Sequence, residues 1–206
     1  MNSKKVRNRT SEELQTRKRE FLKICDILDN LKFDYYLHGG VLLGAVREKN
    51  FIKWDWGVDI RVESIEFLEK IDAFTKSLKS FNFEILEIRK KEDDLKIYFR
   101  GEYPKDVSAY TVYVWNYSKI RDVYWRGKYS VPSKFFDYHS TIDLFGREFK
   151  CPQNPEEYLT YAYGNWKVPL RTADKVLYNK KKYFKNSFLK DSIDKIKKIY
   201  SIFKKG

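Results

Sequence analysis

Tyr36-Leu-His-Gly-Gly-Val-Leu-Leu-Gly-Ala-Val-Arg-Glu-Lys-Asn-Phe-Ile-Lys-Trp-Asp-Trp-Gly-Val-Asp-Ile60 is the stretch from which the rest of the chain is read. It places three glycines within six residues (Gly39, Gly40, Gly44), then Arg47, then two carboxylates four apart, Asp55 and Asp59. An apolar segment precedes the glycines, and Val58-Asp59-Ile60 alternates as a strand does. The physical reading is a strand, a glycine turn close to a phosphate, and a second strand that presents carboxylates to a divalent cation. Glycine lacks a Cβ and tolerates positive φ, so backbone and phosphate can approach closely. Carboxylates an even number of residues apart on a strand share one face, and their hard oxygens suit Mg²⁺ or Mn²⁺.

Outward from this stretch, the chain alternates between helical and strand periodicity. Leu14, Phe21, Leu22, Ile24, Cys25 and Leu28 recur at helical spacing, with Thr10 or Ser11 as the N-cap. Residues 33–38 read as the first core strand. Residues 42–47 read as a short helix whose N-terminus sits at the glycine turn and aims N–H groups at an anion. After a second strand at residues 58–62, apolar positions 65, 67, 68, 71, 74 and 78 mark an amphipathic helix capped by Ser64. Residues 81–88, 96–100 and 109–115 read as three further strands, and residues 124–129 as another strand or a hairpin. The fold expected is α/β (α+β): a mixed sheet of about five strands flanked by helices, followed by a helical C-terminal region.

A second informative stretch runs Ser140-Thr-Ile-Asp-Leu-Phe-Gly-Arg-Glu-Phe-Lys-Cys-Pro-Gln-Asn-Pro-Glu-Glu-Tyr-Leu-Thr-Tyr-Ala-Tyr-Gly-Asn-Trp-Lys-Val-Pro169. Asn154-Pro155-Glu156-Glu157 is a helix start, with proline in the first position and acids on the dipole; Gly164 ends that helix.

Together the two stretches resemble the LicD/fukutin family of nucleotidyltransferase-fold phosphotransferases. The family pattern reads roughly G-T-L-L-G-A-V-R, a spacer, then W-D-x-D-x-D. Gly40-Val-Leu-Leu-Gly-Ala-Val-Arg47 matches all but one position, and Trp54-Asp55-Trp56-Gly57-Val58-Asp59 matches with Gly57 in place of the middle acid. The C-terminal signature, F-x-x-P-x-x-P-E-x-Y-L, then Y-G and W-x-x-P, is present almost in full. The resemblance implies a nucleotidyltransferase-like sheet and transfer of a substituted phosphate, such as phosphocholine or a polyol phosphate, from a CDP-linked donor to a sugar hydroxyl. The acceptor implied is a cell-surface, capsular or lipopolysaccharide glycan. It also implies site roles. Gly39 and Gly40 face the donor phosphates, Arg47 contacts donor phosphate or braces the acidic loop, and Asp59 is a ligand of Mg²⁺ or Mn²⁺. Asp55 is a second metal ligand or the base for the acceptor hydroxyl.

The residues keep alternatives open. Arg47 could instead pair with Asp55, and His38 could bind phosphate or be a hydrogen-bonded structural histidine. No acid falls within residues 109–115, where this fold often carries a third carboxylate; Asp106, Glu84 and Glu87 are the nearest substitutes. The alternative function is a catalytically weakened binding module of a glycan-assembly complex, because Gly57 removes an acid.

Composition fits a single domain at residues 11–174, with a flexible N-terminus at 1–10 and a basic tail at 175–206. The tail holds 11 Lys against Asp191 and Asp194, so it carries +9 of the net +13. Basic residues gathered in an appendage argue against nucleic acid and for a weak contact with an anionic membrane surface. Ile193, Ile196, Tyr200 and Phe203 recur as on an amphipathic helix. No signal peptide or long apolar run is evident, and Cys25 and Cys151 fit no metal or redox spacing. The expectation is a cytoplasmic protein, peripheral to the inner face of the membrane.

Overall fold

The computed structural model describes residues 6–172 except 64–66, 92–93 and 105–106. Ser64, Asp106, residues 1–5 and the basic tail from residue 175 lie outside the described residues.

Helix α1 (Ser11–Asn30) begins as the sequence dictates. The Thr10 hydroxyl accepts from the Glu13 N–H at 3.2 Å, and Glu13 returns a bond to the Thr10 N–H at 2.7 Å, which closes a capping box. Its apolar stripe, Phe21, Ile24, Cys25 and Leu28, is fully buried. Each such large side chain contributes roughly 1.5–3 kcal/mol.

Strand β1 (Tyr35–His38) runs into α2 (Gly39–Glu48), so the helix starts at the glycines themselves rather than at residue 42. Then follow β2 (Val58–Glu63), α3 (Phe67–Ser80), β3 (Glu84–Lys91), β4 (Asp94–Arg100) and β5 (Ala109–Ser118). Residues 124–129 fall in a hairpin, β6 (Val123–Arg126) and β7 (Tyr129–Pro132), turning at Gly127, and a 3-10 turn (Ser133–Phe135) follows. A second hairpin, β8 (His139–Leu144) and β9 (Arg147–Pro152), leads into α4 (Pro155–Tyr163), which Gly164 terminates at φ +73°.

The five expected strands form the path β1-β2-β5-β4-β3; β2 and β5 are parallel and the other neighbours antiparallel. Because β5 is longer than its partners, its end pairs with β6, and the β6–β7 hairpin extends the sheet. Alternation then separates two faces. Leu37, Ile60, Val62, Ile97, Phe99, Val112 and Val114 face the apolar core with rings of α3 such as Phe74. The Tyr110 hydroxyl, on the same face, donates to Glu20 of α1 at 2.6 Å. The opposite face carries His38, Asp59, Arg61, Glu63, Thr111, Tyr113 and Trp115. It is the polar face, and it carries the candidate chemistry.

The second hairpin is tied to α1 by Arg147, whose guanidinium meets Asp26 at 2.7 Å, Asp29 and the Tyr35 hydroxyl. Cys25 and Cys151 are buried free thiols. Among the described residues, no helix is long and apolar enough to cross a membrane.

Candidate active site

The site is built where β1 hands over to α2. His38 is in extended conformation and Gly39 turns the chain at φ +59°, a left-handed value that favours glycine. A Cβ on Gly39 would lie 3.2 Å from Asp59 Oδ2, and a Cβ on Gly40 would overlap Asp55 Oδ2 at 1.7 Å. The two carboxylates therefore lie against neighbouring glycines at the N-terminal end of α2. Asp55 arrives there from the loop after α2 and Asp59 from β2, where it pairs with His38.

Asp55 is held by its own loop. Its Oδ1 accepts from the Trp56 N–H at 2.7 Å, and its backbone carbonyl accepts from Arg17 Nη1 at 3.1 Å. Burial pushes its carboxyl above the ordinary value against the pull of Arg17 and Arg9. Asp59 is half-buried. Its charge is the first cause raising the Tyr113 hydroxyl, with burial second. Thr111 is its direct partner on the parallel strand β5.

Gly57 faces the carbonyl of Ala109, which a Cβ there would meet at 3.1 Å, and its φ lies outside the left-handed region. The backbone does not demand glycine at this position. Glu84 pairs with Arg100, and Glu87 with Lys96 and Arg89, so both are engaged on the outer strand β3. Among the described residues no group of three or more His, Cys, Asp or Glu side chains could hold a metal ion. Magnesium commonly uses one or two carboxylates and completes its shell with water and substrate phosphate. Asp55 and Asp59 could hold such a cation only with water or substrate oxygens completing the shell.

Arg47 lies in the last turn of α2, at the far end of the helix from the glycines. Its guanidinium donates to the Trp166 carbonyl at 2.9 Å and to Glu48 at 2.7 Å. Trp166 is buried and donates its indole N–H to Thr160 of α4 at 3.1 Å. Arg47 thus joins the two signature stretches, and its ion pair is with Glu48 rather than Asp55.

His38 Nδ1 is buried without a hydrogen-bond partner, and burial, reinforced by Arg61 and Arg126, pushes its pKa down to about 3. It is a neutral imidazole packed edge-on to Trp115 at 5.4 Å. Sequence reasoning passed over Arg61, Tyr113, Trp115 and Arg126. The first three had a local signal: Arg61 is two residues from Asp59, and Thr111-Val-Tyr113-Val-Trp115 alternates polar with apolar. Arg126 had none, because β6 comes alongside only through the overhang of β5.

Residues 32–154 match the family described as LicD/FKTN/FKRP, nucleotidyltransferase domain. A lipopolysaccharide cholinephosphotransferase LicD of Haemophilus influenzae is 31% identical over 80 residues, which cover 38% of this chain and 28% of that protein. The match thus spans little more than a quarter of the curated relative. Among solved structures, ANT(2")-Ia in complex with adenylyl-2"-tobramycin aligns with a TM-score of 0.48 at 14% identity, covering 71% of this chain and 76% of that one. An antigenic nucleotidyltransferase-like protein from Paracoccidioides brasiliensis aligns with a TM-score of 0.39 at 18% identity, covering 71% and 63%.

Proposed function

The chain belongs to the LicD/FKTN/FKRP nucleotidyltransferase-domain family, and from that premise we propose that it transfers a substituted phosphate from a CDP-linked donor to a sugar hydroxyl of a cell-surface glycan. The substituents in view are phosphocholine and polyol phosphates. The observation that carries the reading is Gly39 at φ +59° against Asp59 Oδ2, at the start of a ten-residue helix. A helix N-terminus with bare glycines receives phosphate oxygens on its N–H groups. Asp59 would hold a divalent cation carried in by the donor; bound there, that cation offsets the negative charge of the pyrophosphate. The chain's own part is orientation and proton handling. Gly39 and Gly40, without side chains, let the Asp59 and Asp55 carboxylates lie against the helix end, and Asp55, its carboxyl raised by burial, is suited to accept the proton of the acceptor hydroxyl. Arg47 acts at a distance by fastening α4 to α2.

A second reading has a specific observation behind it. Gly57 replaces the middle acid of the family pattern, and the residue paired with Asp59 on β5 is Thr111, not a carboxylate, which favours a module that binds donor and turns it over slowly. Incubating the protein with CDP-choline, CDP-glycerol and CDP-ribitol, with Mg²⁺, Mn²⁺ or EDTA, separates the two. Metal-dependent release of CMP in the presence of a glycan acceptor supports transfer. Donor binding by calorimetry without release supports the module. Neither binding nor release with any donor overturns both readings.

A further inference from the structure

Buried donors in folded proteins nearly always have acceptors, so exceptions gathered in one place point to a missing ligand. Among the described residues, seven buried side-chain nitrogens have no hydrogen-bond partner, and six of them belong to Trp115 and the three residues beside it on the polar face of the sheet. They are Nε, Nη1 and Nη2 of Arg61, Nε of Arg126, Nε1 of Trp115 and Nδ1 of His38. The Arg61 and Arg126 guanidinium carbons lie 5.0 and 6.0 Å from the Trp115 ring, and the His38 ring 5.4 Å.

Arg61 is the centre of the arrangement. It is fully buried, and rings cover its flat surfaces: Phe136 at 3.5 Å, Tyr124 at 4.4 Å and Tyr36 at 5.8 Å, besides Trp115. Rings satisfy the charge of a guanidinium but not its N–H groups, which point outward in the guanidinium plane. Its ion-pair partner, Glu63 Oε1, stands 3.8 Å from Nη2, beyond hydrogen-bond length. Arg126 spends Nη1 on Asp94 and keeps Nε unused. What would satisfy this set is a small, acceptor-only, negatively charged group.

We propose that Arg61, Arg126, Trp115 and His38 form a binding site for an oxyanion, of the phosphate or carboxylate class, on the face of the sheet that carries Asp59. Asp59 and Arg61 are two residues apart on β2 and share that face. The oxyanion is the pyrophosphate of a nucleotide donor or an anionic group on the acceptor glycan. Naming these two sources rests on the proposed transfer, whereas oxyanion binding itself needs no turnover and is tested apart from it.

The test is thermal unfolding in inorganic phosphate against sodium chloride of matched ionic strength. Wild type is expected to show a saturable rise in Tm in phosphate beyond chloride. Arg61→Met keeps the volume and removes the charge. Its phosphate affinity should fall at least about tenfold, the loss expected for hydrogen bonds to a charged group, while its Tm in chloride equals or exceeds wild type. Trp115→Phe removes one donor and is expected to weaken phosphate severalfold with the ring packing kept. If saturating CDP abolishes the phosphate response, the donor pyrophosphate is the source; if the two responses add, the anion belongs to the acceptor. A wild-type response equal in phosphate and chloride overturns the proposal, whatever the variants do. So does an undiminished phosphate response in folded Arg61→Met, which would leave Arg61 as the cation of an aromatic core.

Discussion

Asp55 Oδ2 occupies the space that a Cβ on Gly40 would need, 1.7 Å from its ideal position. The glycine and the acid are fifteen residues apart in sequence, yet each leaves the other no freedom. Gly40 is glycine because the Asp55 carboxylate lies on it, and Asp55 is fixed because its other oxygen holds the Trp56 N–H.

Gly40→Ala should therefore cost about 1–3 kcal/mol, the usual penalty for forced overpacking, by displacing the Asp55 carboxylate. In an Asp55→Ala background the same change should cost little, since the obstructing atoms are gone. A double-mutant cycle measured by urea unfolding reads the coupling directly. Equal costs in both backgrounds would show that something other than Asp55 limits residue 40.

The pH dependence of stability offers a second check on Asp55. Its folded-state pKa is raised above that of an ordinary aspartate, chiefly by burial. Between the unfolded and folded values the native protein binds the extra proton, so this group's contribution to stability falls as pH rises through that window. Asp55→Asn cannot titrate and should lose less stability than wild type between pH 4 and pH 7. Parallel Tm profiles for the two proteins would contradict the assignment.

At Gly57, the aspartate of the family pattern should be tolerated. No left-handed φ stands in the way, and the tightest contact a Cβ would make is 3.1 Å to the Ala109 carbonyl. We expect Gly57→Asp to cost about 1 kcal/mol in stability and to tighten Mg²⁺ or Mn²⁺ binding measured by calorimetry. A folded variant with unchanged metal affinity would mean that residue 57 does not face the cation.

The capping box makes a simpler prediction. Burial resists ionisation of Glu13, but the hydrogen bond from Arg7 dominates, and with the Thr10 N–H it holds the carboxyl down to about 2. Thr10→Ala should destabilise the protein by about 1 kcal/mol. Glu13→Gln should cost stability at neutral pH, and that difference should vanish as acid protonates the wild-type carboxyl near pH 2. A difference that persists there would assign the effect to packing.

What the sequence made legible was whatever had a local period or a local cap. The Thr10 cap, the stripe from Phe21 to Leu28, five strands and the Asn154-Pro155 helix start follow from neighbours within a few residues. The start of α2 at Gly39 was not legible, because glycines in a row read as a turn until the carboxylates of Asp55 and Asp59 are seen lying against them. The aromatic surround of Arg61 was hidden for a different reason. Its rings come from β1, β5, β6 and the segment after the 3-10 turn, which no period connects. Arg47 shows the opposite case: a motif residue easily found, whose partner, Trp166, is 119 positions away.

The central claim is that Asp59, beside Gly39 at the start of α2, takes part in binding the donor. Titrating CDP-linked donors into wild type and Asp59→Asn in the presence of Mg²⁺, with Tm recorded for both, tests it most directly. The account predicts at least about a tenfold loss of donor affinity in Asp59→Asn, with Tm kept within a few degrees, because the half-buried carboxylate serves ligand more than core. Equal donor affinity in the two folded proteins would contradict it.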